Sequence, residues 1–200
     1  MSTLAIRPVL IDKAIRTSNV INIALVVAGA LVVGLLAQVS IPLWPVPITG
    51  QTLGVLLVGA TLGSRRGAAS MVTYAALGLA GVPWFADFTG GITTLAKPSF
   101  GYIIGFPIAA WIIGRLSELG WDRRSLRALA AFGIASLIPF LTGVPYMWAI
   151  LKASGVTLTF AQTLNAGFTP FIIGGIIKWM LAACLIPSLW KLVRDVEARA

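Results

Sequence analysis

The sequence predicts an all-α integral membrane protein with six transmembrane helices in one bundle, and three observations predict it. Of its 200 residues, 58% are apolar and only 10% charged, too few polar groups for the half-solvated surface of a soluble domain. Apolar runs of about 18 residues or more, each able to cross a hydrocarbon core of about 30 Å, recur along the chain. The basic residues behind the net charge of +9 fall in small groups between those runs. That pattern fits positive-inside topology and argues against a nucleic-acid surface, which calls for a continuous basic patch.

The elements follow in order. Residues 1–19 read as a polar cytoplasmic leader carrying Arg7, Lys13 and Arg16, lying along the membrane surface. The next run, from Val20 to about Ala37 or Ser40, exceeds a signal-peptide core and is read as a retained first span. On it Ala24 and Ala28 share one face and Ala30 and Gly34 an adjoining one, a spacing that serves either packing within the bundle or a partner surface. Ile41 to Thr49 holds three prolines and must be a loop. The second span, Gly50 to Gly63, is short and ends at Arg65-Arg66. The third runs from Gly67 to Val82.

Val82 to Phe106, VPWFADFTGGITTLAKPSFGYIIGF, then replaces what needs only a short turn. A long aperiodic segment in a compact fold usually has a task. Gly90-Gly91 lets the backbone bend, and Trp84, Phe85, Phe88 and Phe100 offer flat apolar surfaces. The segment reads as a long ordered loop covering a ligand, with an interfacial aromatic belt as the alternative. The fourth span starts near Pro98 or Ser99 and ends by Leu116, with Gly101 and Gly105 four apart for close packing. A basic segment, Ser117 to Arg127, precedes the fifth span, Leu126 to Leu151, which Pro139 and Pro145 should interrupt and kink around Gly143. Lys152 to Thr163 is an outer loop, and the sixth span covers Leu164 to Trp190. The spans make one domain, 20–193, with residues 194–200 as a cytoplasmic tail.

Charge orients the layout. Three basic residues sit in the leader, two at Arg65-Arg66, four between Arg115 and Arg127 and three after Trp190, against Lys97 and Lys152 on the other side. Six spans with both termini cytoplasmic follow, and the long loop faces outward.

The chain has no histidine and one cysteine, Cys184, so metal clusters, disulfides and histidine chemistry have no residues to work with. No acid–base pair, nucleophile or phosphate loop is visible, so a catalytic site, a metal and a cofactor are all expected to be absent. Lys178 stands out instead. It lies inside the sixth span with no acidic residue within a turn, where an ionised group costs at least about 2.5 kcal/mol. It meets an anionic ligand, or else it snorkels or finds a polar packing partner. Gly174-Gly175 one turn earlier open space beside it or serve helix packing. Thr49 and Gln51 offer a hydroxyl and an amide that read a ligand's polar groups or cap a helix. Tyr102, Tyr146 and Asn165 are further polar tips on the outer side, whereas Asp87 and Lys97 read as structural loop charges.

Several ordered motifs carry a family resemblance: VPITGQTLGVLL (Val46–Leu57), GSRRG (Gly63–Gly67), GVPWFA (Gly81–Ala86), Gly90-Gly91 and PSFGYIIGF (Pro98–Phe106). Together they resemble the BioY family, the biotin-binding S components of energy-coupling factor (ECF) vitamin transporters. The resemblance implies a six-helix substrate-capture subunit in the prokaryotic plasma membrane that binds biotin from outside. It also implies docking on a transmembrane T component with two cytoplasmic ATPases, through an AxxxA face that maps to Ala24 and Ala28, and delivery by tipping of the whole subunit. One departure stands out. The family's Gly-Asp-x-x-Lys reads Gly174-Gly175-Ile176-Ile177-Lys178 here, so the lysine matches and the acid is missing. Biotin is then expected against Trp84, Phe85 and Tyr102, beneath a loop hinged at Gly90 and Gly91. Gln51 and Asn165 would bond its polar groups, with Thr49 and Tyr146 nearby, and Lys178 would neutralise one end. Gly175 leaves a different vitamin as the alternative, and a non-transport membrane scaffold is a third reading.

Overall fold

Hydropathy is a local property, and it places the long helices where the sequence puts them. The computed structural model describes residues 7–16 and 18–198. A short α1 (Leu10–Ala14) leads into α2 (Asn19–Ala37), and the proline-rich segment folds as a small antiparallel hairpin of β1 (Ser40–Ile41) and β2 (Ile48–Thr49). There follow α3 (Gln51–Leu62), α4 (Ser64–Leu79), α5 (Phe100–Glu118), α6 (Ser125–Ala153), α7 (Phe160–Gly167) and α8 (Phe171–Glu197). Four of these, α2, α5, α6 and α8, are long and apolar enough to cross a membrane; α3 is apolar but shorter. The chain is an all-α, multi-pass membrane protein.

Glycine sets how closely the helices approach. Gly101 and Gly105 let α5 lie against Tyr146 and Pro139 of α6, and Gly143 of α6 accepts the Tyr102 ring, so any side chain at these points would intrude on the partner helix. The α5 pair was expected to pack in this way. Pro139 and Pro145 do not interrupt α6, which runs through both as one helix. Membrane helices tolerate such prolines because neighbours satisfy the freed backbone groups.

Two helix starts differ from the sequence reading. The third span begins at Ser64, three residues early, because Glu118 on α5 caps it: its Oε1 accepts from the Ser64 N–H at 2.8 Å and the Ser64 hydroxyl at 2.7 Å. Gly63, at φ 85°, makes the one-residue turn from α3. The last span does not start at Leu164. Thr159 and Gln162 form a reciprocal capping box that starts α7, and Pro170, which lacks an N–H, stands at the start of a separate α8. The helix α8 also takes in residues 194–197 of the expected tail.

The described part of the leader packs on the bundle. Val9 and Leu10 are buried, Asp12 accepts from Arg66 at 2.6 Å, and Lys13 pairs with Glu197 at 2.8 Å. Beside this strap, Asp122 between α5 and α6 is fully buried, and its Oδ2 accepts from Trp190 Nε1 at 2.7 Å. The Arg123 guanidinium stacks 4.1 Å over the Trp190 ring, with Arg7 and Arg194 adding positive charge around it. Burial pushes the Asp122 carboxyl up to about 6, against the opposing Trp190 hydrogen bond and Arg123 charge.

A raised carboxyl means the folded state holds the proton more tightly than the unfolded chain. Charging it therefore weakens the fold as pH rises from about 4 to about 6, and protonation restores that stability on the way down. The expected result is a stability difference between the wild type and Asp122→Asn that shifts in favour of the wild type by on the order of 3 kcal/mol as pH falls across this window. Thermal melts in detergent at several pH values check it; parallel curves would refute it.

Candidate functional site

The segment between α4 and α5 is latched down residue by residue. Gln38, at the end of α2, donates its Nε2 to the carbonyls of Gly34, Trp84 and Phe85 at 3.0, 3.2 and 3.1 Å, and its Oε1 accepts from the Phe88 N–H at 3.0 Å. Three acceptors on one side of the amide and one donor on the other fix its orientation. Trp84 donates its indole N–H to the Tyr74 carbonyl at 2.9 Å, the Tyr74 hydroxyl donates to the Trp84 carbonyl at 3.2 Å, and Gln51 donates to that hydroxyl at 2.8 Å. Asp87 and Phe88 adopt left-handed φ of 59° and 53°, an uncommon state for such residues that surrounding contacts must hold in place. Replacing Gln38 with alanine is expected to speed amide exchange across residues 84–89 by about 5- to 150-fold, the loss of about 1–3 kcal/mol of local hydrogen bonding. Unchanged protection in hydrogen–deuterium exchange would refute the latch.

Under this lid lies a cavity of about 550 Å³, within the range typical of small-molecule sites. Its walls are mainly apolar: Phe85 and Phe100 on the lid side, Tyr102 and Phe106 on α5, and Phe140 and Phe171 on α6 and α8. Edge-to-face contacts hold the aromatics, with Tyr102 and Phe140 at 5.8 Å and Phe140 and Phe168 at 5.0 Å. The Tyr102 hydroxyl donates to the Gly167 carbonyl at 2.6 Å, tying the end of α7 to the wall. Thr49, Gln51, Thr52, Thr94, Ser99 and Ser136 interrupt these walls with polar groups, and Asp87, Thr89 and Lys97 line the cavity from the lid.

Lys178 supplies the deep charge. Its Nζ donates to the Thr49 carbonyl at 2.8 Å, across 129 positions of chain, and among the described residues no carboxylate pairs with it. A carbonyl dipole compensates an ammonium only in part, so the cavity keeps an uncompensated positive charge in apolar surroundings.

Of the residues singled out in the sequence, Thr49, Gln51, Phe85, Phe100, Tyr102, Gly175 and Lys178 line the cavity together. The other expected binding and partner residues stand elsewhere. Trp84 is a layer behind, buried in the latch. Gly90 packs against the Val82 carbonyl, and Gly91, at φ 88°, donates to the Gly78 carbonyl at 2.7 Å, so both shape the lid's backbone. Tyr146 donates its hydroxyl to the Leu95 carbonyl at 2.6 Å, and Asn165 is exposed on α7 away from the cavity. Ala24 and Ala28 lie exposed on α2, opposite the buried Ala30 and Gly34.

Asp87 and Lys97, read as structural charges, line the cavity from the lid. Gln38, Ser136, Phe140 and Trp179 were missed. The spacing of Gly133, Ser136, Leu137 and Phe140 marks one helical face and was a usable signal; Gln38 had none, because its partners are carbonyls of a distant loop.

The fold and the site define a class: a membrane-embedded small-molecule binding protein, with its cavity enclosed by helices and covered by an ordered loop. The chain belongs to the BioY family, whose sequence model matches residues 11–195. It is similar to the biotin transporter BioY of Thermotoga maritima, 35% identical over 84% of this chain and 91% of that one. It is also similar to the probable biotin transporter BioY of Pyrococcus horikoshii, 37% identical over 76% and 86%. Among solved structures it resembles, with a TM-score of 0.64 and 24% identity, the S-component for biotin from an ECF-type ABC transporter, solved at 2.1 Å; the match covers 88% of this chain and 95% of that one.

Proposed function

We propose that this chain is the biotin-binding S component of an ECF-type vitamin uptake transporter, and that it binds and delivers biotin without transforming it. The observation that carries the reading is Lys178, an ammonium inside an apolar, ligand-sized cavity under a latched lid. It is supported by relatives that are named biotin transporters. Biotin is a carboxylate on an apolar chain, with a ureido ring that both donates and accepts. Its carboxylate takes the Lys178 ammonium in exchange for the Thr49 carbonyl. The ureido group meets the free carbonyl oxygen of Gln51 and neighbouring hydroxyls, and the chain and sulfur ring lie against Phe85 and Tyr102. Trp84, Gly90, Gly91 and Tyr146 hold the lid and walls in shape. Asn165 has no ligand contact in this reading.

In the same reading α2, α3, α4, α5, α6 and α8 are six spans with both termini cytoplasmic, and the lid faces outward. The basic residues at Arg65, Arg66, Arg123 and Arg194 support that orientation. The transmembrane core is residues 20–193. The exposed face with Ala24 and Ala28 is where a T component docks, and two ATPases on the cytoplasmic side supply the energy.

One observation favours a second vitamin. Gly175 lines the cavity, and a Cβ built there would meet nothing within 4 Å, so space stands beside Lys178 where an acid is the usual residue. Calorimetric titration of the purified chain with biotin and a panel of other water-soluble vitamins decides between them. Tight, selective biotin binding is the expected result. Preference for another vitamin carries the second reading, and no binding from the panel overturns both.

A further inference from the structure

One wall of the cavity is also an outer flank of the bundle. Leu137 of α6 and Ile172 and Ile176 of α8 line the cavity, yet they are 52%, 41% and 43% exposed on the outer flank of the bundle. The seam between the two helices closes on either side of this point. Toward the C-terminal end of α8, Trp179 lies against Gly133 and donates its Nε1 to the Leu129 carbonyl at 2.6 Å. Toward the N-terminal end, Phe140 packs edge-on against Phe171 at 5.8 Å. Between these two closures the walls are Ser136 and Gly175, and the space beside Gly175 is empty out to 4 Å.

Both α6 and α8 are long and apolar enough to cross a bilayer, so this flank is continuous with the lipid-facing surface. Leu137, Ile172 and Ile176 make that flank of the cavity apolar, with Ser136 its one hydroxyl, and apolar surface that meets hydrocarbon is covered by hydrocarbon at little cost. The interior end of the cleft is apolar as well, bounded by Leu56 and Phe106, which are 2% and 1% exposed. We propose that the acyl chain of a bilayer lipid enters the cavity through the window between α6 and α8 when no ligand occupies it, and that Gly175 keeps the window open. The inference rests on the shape of the cavity and holds for whichever vitamin the site takes.

Photolabelling tests it. The full chain, without added ligand, is reconstituted in phosphatidylcholine vesicles containing a phosphatidylcholine with a diazirine near the end of one acyl chain, irradiated, and mapped by peptide mass spectrometry. The expected result is label on the buried Leu56 or Phe106 in addition to the exposed flank. Gly175→Phe, which plugs the window, is expected to cut that interior label at least tenfold while leaving label at Ile173, which is 75% exposed and off the cavity. Ser136→Phe closes the same window from the α6 side and serves if the first variant does not fold. Label confined to exposed residues in the wild type, or interior label unchanged in a folded plugged variant, overturns the proposal.

Discussion

Replacing Lys178 with methionine is expected to weaken biotin binding by about 30- to several thousand-fold, the largest functional effect of any single change in this chain. Removing one partner of a desolvated charge pair costs about 2–5 kcal/mol, because the carboxylate is then buried with nothing to neutralise it. Methionine keeps much of the stem's volume and polarisability, so loss of packing is a small part of the effect. In the ligand-free protein the substitution also frees the Thr49 carbonyl that now accepts from Nζ at 2.8 Å, a minor cost beside the cavity. A neutral analogue, the amide of biotin, separates charge from shape. It should bind the wild type weakly and lose little more in the variant, so the two changes together cost far less than their sum. Full additivity in titration calorimetry would take Lys178 out of contact with the carboxylate, and undiminished binding by Lys178→Met would remove it from recognition altogether.

The second large effect is expected at Gly78, where α4 meets the lid. A Cβ there would fall within the Phe85 ring, which packs edge-on to Tyr74 at 5.2 Å and to Phe100 at 6.1 Å. The Gly78 carbonyl also accepts from the Gly91 N–H, so one residue anchors both the aromatic plug and the return of the lid. Gly78→Val is expected to cost about 1–3 kcal/mol of stability through overpacking, and more where the helix backbone cannot yield. With Phe85 pushed aside, ligand affinity should fall by on the order of 100-fold, since both a cavity wall and the closed lid are lost. Adding Phe85→Ala relieves the clash and is expected to recover the melting temperature while affinity stays low. Leu77→Val, on the exposed side of the same turn, is the control. Wild-type binding by Gly78→Val would show that the lid is not held in this way.

Much of the fold was legible because the bilayer imposes a local test. Length and hydropathy alone placed the four long helices to within a few residues, apart from the start and the end of the last, each seven residues off. That start was readable too, since Thr159-x-x-Gln162 is a capping-box pattern and Pro170 a break, but the apolar run through Leu164 outweighed both. The early start of α4 was not readable, because its cap, Glu118, comes from another helix 54 positions away. The candidate site divides along the same line. Gln51, Phe85, Tyr102 and Lys178 announced themselves as polar or aromatic groups in costly places, and they meet in one cavity. Trp84, Tyr146 and Asn165 had the same chemical appearance, but backbone carbonyls engage the first two, and the third is exposed on α7 outside the cavity lining. Residue type records what a side chain can bond and not which partner reaches it first.

The sequence by itself determined that the chain lives in a membrane, where its long helices run, and that a lone lysine lies in one of them. Each of these follows from a transfer cost summed over neighbouring residues. Only the tertiary structure decided that the lysine faces a lidded cavity, that Gln38 holds the lid, and that Gly175 lines that cavity with open space beside it. Those outcomes depend on groups brought together from distant parts of the chain, and short-range distances between such groups are set by packing alone.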